Sequence, residues 1–296
     1  MNILYKPEGP AKEYADDPIK RDEGWAANLT KGCVHGCKYC YVPNSMAWKF
    51  KGANRRELFH SERVARKDVL RKLELDLKRC NGMSEPVFFS FTTDPYQVGQ
   101  DNALTREALL LCEKYKVTAN ILTKGGMEAA DDFDILKRNN WKFGTTIIFA
   151  YDESRREWEP NASCLGDRDQ AVYDAHGRGI YTWVSVEPVI DVYQALRVMR
   201  EMASYVDFWK VGKLNHGKQI SPELGEIEAA IDWGSFLEEV EQSIPPEKLL
   251  IKHDLEAFRY APRPWPNSSC RQLNAHRLSQ VGRCDLWQVR KRSIVG

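Results

Sequence analysis

Cys33-Val-His-Gly-Cys37-Lys-Tyr-Cys40-Tyr41 decides how the chain is read. Three thiols fall within eight residues, with three and then two residues between them. A backbone that tight wraps one small inorganic centre. Cysteine thiolates are the usual ligands of iron–sulfur clusters. Three of them would hold three corners of a 4Fe–4S cube and leave the fourth iron open to a substrate or cofactor. Ferredoxin-type runs have a different rhythm and a fourth cysteine. Zinc also accepts a Cys3His set, here Cys33, Cys37 and Cys40 with His35 as the fourth ligand. His35 lies between two of the cysteines, where an unstrained tetrahedron is hard to close, and zinc sites usually draw ligands from two separated segments. Free thiols are the third reading.

Working outward, the chain has 296 residues, 43% of them apolar and 11% aromatic, enough for one large α/β domain or two small ones with a real core. No apolar run approaches the roughly 18 residues of a membrane span, and no basic-then-apolar leader opens the chain. Eight cysteines with three clustered do not make a secreted disulfide frame at this length. The expectation is a cytoplasmic protein in a reducing compartment, with no membrane partner. The net charge of +1 is unevenly placed: Arg259 to Gly296 holds eight basic residues against Asp285, a local +7 that leaves −6 for residues 1–258. Trp265 and Trp287 are interleaved with those arginines. Arginine with aromatic rings suits phosphate and bases, so the extension is a candidate DNA or RNA contact. A solvated basic tail is the plainer reading.

Periodicity gives the organisation. Residues 1–25 read as an irregular N-terminal arm, residues 26–258 as the main domain with a helical insertion at about 215–246, and 259–296 as the basic extension. A short strand is expected at Ala26–Thr30, leading into the cysteine loop. Ser61 is read as the N-cap of a helix through Val64, Leu70, Leu73 and Leu77, with Cys80 a buried thiol on the same face. Strands follow at Val87–Thr92, Val117–Thr123, Phe143–Ala150, Gly179–Val186 and Phe208–Val211, with Leu249–Ile251 as a candidate seventh. Helices alternate with them, one capped by Asp167 with Gln170 and one by Asp191. Cys112 reads as core. Such alternation predicts a parallel sheet with right-handed crossovers, six β/α units in all, with an open doubly wound sheet as runner-up.

In parallel sheets, sites form at the carboxyl ends of the strands. Those ends carry the cysteines, then Thr92-Thr93-Asp94-Pro95-Tyr96-Gln97, Thr123-Lys124-Gly125, Thr146, Ser185-Val186-Glu187-Pro188 and Lys210 to Asn215.

The cysteine triplet, with the aromatic Tyr39 just before its last member, resembles the signature of the radical S-adenosylmethionine (radical SAM) superfamily. The Thr-Thr-Asp-Pro-Tyr-Gln, Thr-Lys-Gly and Ser-Val-Glu-Pro stretches resemble the spore photoproduct lyase and "DNA repair photolyase"-like branch, over about residues 26–215. The resemblance implies a partial (β/α)6 TIM-like barrel. It implies a 4Fe–4S cluster on Cys33, Cys37 and Cys40, and S-adenosyl-L-methionine (SAM) as cofactor. SAM would be cleaved reductively to a 5′-deoxyadenosyl radical that takes hydrogen from a substrate. Tyr39 would pack near adenine and Tyr41 near the cluster. Thr92, Thr93 and Asp94 would meet the SAM amino group or ribose, and Lys124 its carboxylate, with Thr146 and Glu187 completing the cofactor set. A flavodoxin- or ferredoxin-type protein would donate the electron. Lyases that repair spore DNA place a hydrogen-donating cysteine three residues before the aspartate; here that position is Phe91. The expected reaction is therefore a related radical repair or modification of a nucleic-acid or nucleotide-derived group, not spore photoproduct lyase proper. The alternatives are a radical SAM enzyme acting on a peptide or small metabolite, and a non-catalytic metal-stabilised nucleic-acid-binding module.

Overall fold

Short β-branched and aromatic runs alternate with amphipathic stretches, and each run forms a strand. A computed structural model of the chain describes residues 2–8, 24–44, 54–214 and 217–260. The strands are β1 (Leu4–Tyr5), β2 (Trp25–Ala27), β3 (Thr30–Lys31), β4 (Val64–Ala65), β5 (Val87–Phe89), β6 (Ala119–Thr123), β7 (Lys142–Thr146), β8 (Tyr181–Val189), β9 (Phe208–Lys213) and β10 (Leu249–Ile251). One sheet has the order β1-β2-β5-β6-β7-β8-β9-β10, and β3 pairs with β4 in a small antiparallel sheet. From β2 onward every neighbour in the large sheet is parallel, and β1 is its antiparallel edge.

The helices Val69–Arg79, Ala103–Lys114, Phe133–Arg138, Leu165–Gly177, Val192–Met202 and Trp233–Ser243 stand between successive parallel strands. The strand order never reverses, so the sheet has no switch point and is not doubly wound. It also curls. The rings of Phe88 on β5 and Trp183 on β8 are 6.3 Å apart. Their strands are three sheet positions apart, about 14 Å if the sheet were flat. Trp183 lies across β7 at Gly144, where a Cβ would come within 2.2 Å of the indole Cε2. Phe88, Trp183 and Phe208 make the inner floor, with Phe91, Leu122 and Leu250 packed on it. The larger core lies between the outer face and the helices. The architecture is a partial β/α barrel with seven parallel strands, β10 being the seventh.

Several local expectations need correction. Leu4–Tyr5 is not irregular: it pairs with β2. The strand expected at Ala26–Thr30 is broken, with Thr30 moving to the small sheet. Ser61 ends a helix, Arg55–Ser61, and its Oγ donates back to the Leu58 carbonyl at 2.9 Å. The next helix starts at Val69, because Val64–Ala65 pairs with β3 and Asp68 takes a left-handed conformation at φ 54°. Cys80 is half-buried at that helix's C-cap rather than fully buried. The run to Thr92 leaves the sheet after Phe89, since Asn28 Oδ1 accepts from the Phe91 and Thr92 amides at 3.0 and 2.9 Å. The run to Ala150 leaves β7 at Thr146, and Gln194 Oε1 takes the Ala150 amide at 3.1 Å.

Asp167 does not cap its own helix. Its carboxylate accepts from the Met127 amide at 3.1 Å, and Cys164 stands at the N-cap. Asp191 caps as expected, accepting from the Gln194 amide, and Ser221 caps the helix Pro222–Ala230, accepting from the Leu224 amide. Cys112 is fully buried. The helix Asp152–Trp158, with no sequence expectation, follows β7. Residues 9–23, Asn215, and the extension beyond Tyr260 with Cys270, Cys284, Trp265 and Trp287, lie outside the described residues. Among the described residues no helix is long and apolar enough to cross a membrane.

Candidate active site

The loop from Gly32 to Tyr41 leaves β3 and is held by its own carbonyls and amides. Gly32 and Gly36 have φ of 76° and 70°. A Cβ on Gly32 would meet the Glu62 carbonyl oxygen at 1.9 Å, so close packing as well as backbone sign requires glycine there. The Cys33 amide donates to the Phe59 carbonyl at 3.0 Å, and His60 Nδ1 lies 2.8 Å from the Cys33 carbonyl. Gln97 accepts from the Val34 amide at 2.8 Å and donates to the Gly32 carbonyl at 3.3 Å. Asn161 donates to the Val34 carbonyl at 2.9 Å, and the Lys38 amide to the Trp158 carbonyl at 2.8 Å. Arg56 donates to the carbonyls of Cys37, Lys38 and Cys40 at 3.4, 3.3 and 2.8 Å. Three separate segments, residues 56–60, Gln97 and residues 158–161, therefore fix the loop's shape through its backbone.

The three thiols open onto one cavity of about 330 Å³ at the carboxyl ends of the strands. Tyr39, Tyr41, Thr92, Thr93, Asp94, Lys124, Thr146 and Glu187 line the same cavity, so the fold gathers every sequence-selected residue into one place. Their surroundings differ. Asp94 is fully engaged: its oxygens accept from the Tyr96 amide at 2.9 Å, the Lys124 amide at 2.7 Å and the Thr123 hydroxyl. Its carboxylate ties the β5 loop to the end of β6. The Thr93 hydroxyl is 3.0 Å from Ser90 Oγ and accepts from Thr30 Oγ1 at 3.2 Å. Glu187 pairs with Lys252 at 3.0 Å. Tyr41 is 40% exposed, at the mouth.

Two groups in the lining stand out as able to meet a ligand. Thr92 Oγ1 is buried without a hydrogen-bond partner. Lys124 lies over the Tyr39 ring, its Nζ 5.7 Å from the centroid, and forms no side-chain ion pair with a described residue. Burial pulls its ammonium down, but Cys37 and Glu159 outweigh that and leave it above the ordinary lysine value. A cation and an orphaned hydroxyl fit the carboxylate and polar groups of an amino-acid-bearing cofactor such as SAM.

The thiols bear on the metal question. Burial pushes all three above the ordinary cysteine range, Cys37 to about 12. Among the described residues no three His, Cys, Asp or Glu side chains converge as ligands of a single ion. His35 is turned to other work: it is buried, its Nε2 accepts from the Val98 amide at 3.4 Å and its Nδ1 is 3.5 Å from Asp94 Oδ2. Burial lowers its pKa to about 4. The Cys3His arrangement around one zinc is therefore not built. Three thiols on one loop, all lining one cavity, fit a polynuclear cluster, which holds each cysteine at a separate corner.

Sequence reading missed the support behind this wall. Tyr39 donates its hydroxyl to Glu159, which pairs with Arg168 at 2.7 Å, both side chains wholly buried. Burial alone would raise the Glu159 carboxyl, but Arg168 and Lys124 hold it below the usual carboxylate range. Nothing local marks Glu159-Pro160-Asn161 as more than a turn. Lys252 was also missed, although it follows β10 directly and the strand-end rule reaches it.

No protein-family model matches the chain. No curated protein matches it in sequence. Solved structures do match in fold. Streptococcus suis SuiB, a radical SAM enzyme, bound to the precursor peptide SuiA, is 12% identical with a TM-score of 0.57, over 79% of this chain and 50% of SuiB. SuiB bound to S-adenosylmethionine gives 12% and 0.54, over 76% and 49%. A spore photoproduct lyase variant with bound AdoMet and dinucleoside spore photoproduct is 15% identical with a TM-score of 0.54, over 80% of this chain and 78% of that one. The chain spans about half the length of SuiB. Its fold is the partial barrel of the radical SAM enzymes. Among them, the likeness to spore photoproduct lyase covers the larger share of the partner's chain.

Proposed function

We propose that this protein is a radical SAM enzyme. The observation that carries the reading is the opening of three thiols, on a loop fixed through its backbone, onto a cavity that also holds an orphaned threonine hydroxyl and a lysine with no ion pair among the described residues. Cys33, Cys37 and Cys40 would hold a 4Fe–4S cluster. When bound, such a cluster supplies the electron for reductive cleavage of SAM to methionine and a 5′-deoxyadenosyl radical. Lys124 holds the SAM carboxylate as a point charge. Thr92 takes a polar group of the same end. Tyr39 and Thr146 form the wall beside it, and Asp94 keeps Lys124 in place through its amide. Tyr41 and Glu187 face the side from which a substrate would enter.

The substrate we favour is nucleic acid or a nucleotide-derived group, on the Arg/Trp composition of residues 259–296 and the fold likeness to spore photoproduct lyase. With Phe91 at the position of the lyase's hydrogen-donating cysteine, a repair or modification other than that lyase reaction is the better fit. The electron donor is a flavodoxin- or ferredoxin-type protein, and the compartment cytoplasmic. A peptide substrate is the second reading, favoured by the likeness to SuiB with its bound precursor peptide.

The test is anaerobic. Protein reconstituted with iron and sulfide, reduced with dithionite and given SAM should yield 5′-deoxyadenosine, and Cys40→Ala should not. A colourless, zinc-loaded protein without product would overturn the reading.

A further inference from the structure

Glu159 and Arg168 form an ion pair with no exposure at all, placed directly behind the cysteine loop. Buried pairs of this kind add little net stability over apolar filling, so their value lies in geometry. The contacts here are directed at three walls of the cavity. Glu159 accepts the hydroxyl of Tyr39, which stands between Cys37 and Cys40. Arg168 donates to the Thr146 carbonyl at the end of β7 and to the Ser163 carbonyl, each at 3.0 Å. The Ser163 amide in turn donates to the Lys124 carbonyl at the end of β6, at 3.1 Å. One fork thus spaces the loop, Lys124 and Thr146. The Tyr39 ring, fixed at its hydroxyl, lies beneath the Lys124 ammonium.

We propose that Glu159 and Arg168 are positioning residues that set the Tyr39–Lys124 pair for the cofactor's amino-acid end, acting on SAM binding rather than on cluster retention. The inference rests on the reading of this cavity as a SAM site. Neither residue touches the ligand. Each acts through Tyr39, Thr146 and the β6 loop. Arginine suits the position because Nη1 reaches Glu159 and the Thr146 carbonyl while Nε reaches the Ser163 carbonyl, two separated nitrogens that a single lysine ammonium does not supply.

The experiment compares wild type with Tyr39→Phe, Glu159→Gln and Arg168→Lys, each reconstituted anaerobically. Three quantities are read: iron and sulfide per chain, SAM affinity by equilibrium dialysis, and the change in the reduced cluster's electron paramagnetic resonance spectrum when SAM is added. Expected are wild-type iron and sulfide in all three variants. SAM binding should weaken about tenfold in Tyr39→Phe and further in Glu159→Gln and Arg168→Lys, the scale of a lost hydrogen bond to a charged group. The SAM-induced spectral change should be altered at saturating SAM. If Glu159→Gln does not fold, Tyr39→Phe, which deletes one hydroxyl, decides alone. Wild-type affinity and spectrum in Tyr39→Phe would overturn the positioning role, as would parallel loss of iron and SAM binding. A wild-type protein that takes up a cluster but never binds SAM would instead overturn the functional reading beneath it.

Discussion

Lys124 is a half-buried cation over an aromatic ring, with no carboxylate bonded to its side chain among the described residues. A charge so placed costs desolvation that a ligand's anion offsets. Lys124→Ala should weaken SAM binding by about 1.5–3 kcal/mol, roughly ten- to a hundredfold in Kd, with cluster content unchanged. Equilibrium dialysis with the iron-loaded protein checks it, and wild-type affinity would remove Lys124 from the site. The individual residues were unevenly legible in sequence. Lys124 and Thr92 were found because strand ends point at one rim. Asp94 was found for the same reason, but its carboxylate is spent on Tyr96, Thr123 and Lys124. Sequence shows that a carboxylate stands at a rim and not which amides will reach it. Glu159 and Arg168 were invisible because a charge pair with no exposure leaves no periodic trace.

At the scale of elements, the cysteine loop is the test case. Gly32→Ala places a methyl 1.9 Å from the Glu62 carbonyl at a φ of 76°, where L residues are strained. It should destabilise the fold by about 1–3 kcal/mol and lower iron per chain after reconstitution. Thermal unfolding with iron analysis reads both, and a fully loaded Gly32→Ala protein would contradict the close approach. The buried pair makes a second prediction. Glu159→Ala leaves Arg168 uncompensated and should cost about 3–5 kcal/mol. The double variant Glu159→Leu with Arg168→Met should regain most of that stability in denaturant titration without regaining SAM affinity. Separation of the two quantities is the point, and their joint recovery would argue against a geometric role.

Element identities were largely readable, because β-branched runs and amphipathic stretches differ in period. Element ends were not. Val87–Thr92 stops at Phe89 because Asn28, sixty-odd residues earlier, takes the next two amides. Ser61 and Asp167 were assigned as caps on local grounds, and a distant partner overruled each: β3 pairs with Val64–Ala65, and the Met127 amide takes Asp167.

For the whole molecule, the sequential strand order bears out the parallel sheet that alternation predicted, and it removes the doubly wound alternative that alternation left open. Each β/α unit adds to the same edge, and curvature brings Phe88 to Trp183. What alternation could not give was β1, whose two residues carry no period and find their place only by pairing with β2. The nucleic-acid part of the proposal concerns residues 261–296. Seven of the eight basic residues counted from Arg259 onward lie there, with one acid. If this extension meets nucleic acid, deleting residues 261–296 should lower affinity for a DNA or RNA oligomer and flatten its dependence on salt concentration. Affinity and salt slope equal to those of the full chain would leave the extension as a solvated tail.

The backbone clamp on the cysteine loop has a bearing on how the protein ages. Arg56, His60, Gln97 and Asn161 hold the loop without calling on a thiol. Oxygen that strips iron from such a loop would leave behind a folded receptacle rather than an unravelled chain. If the loop holds the proposed cluster, damage of that kind would be mended by fresh iron and sulfide, with no need for a new round of synthesis.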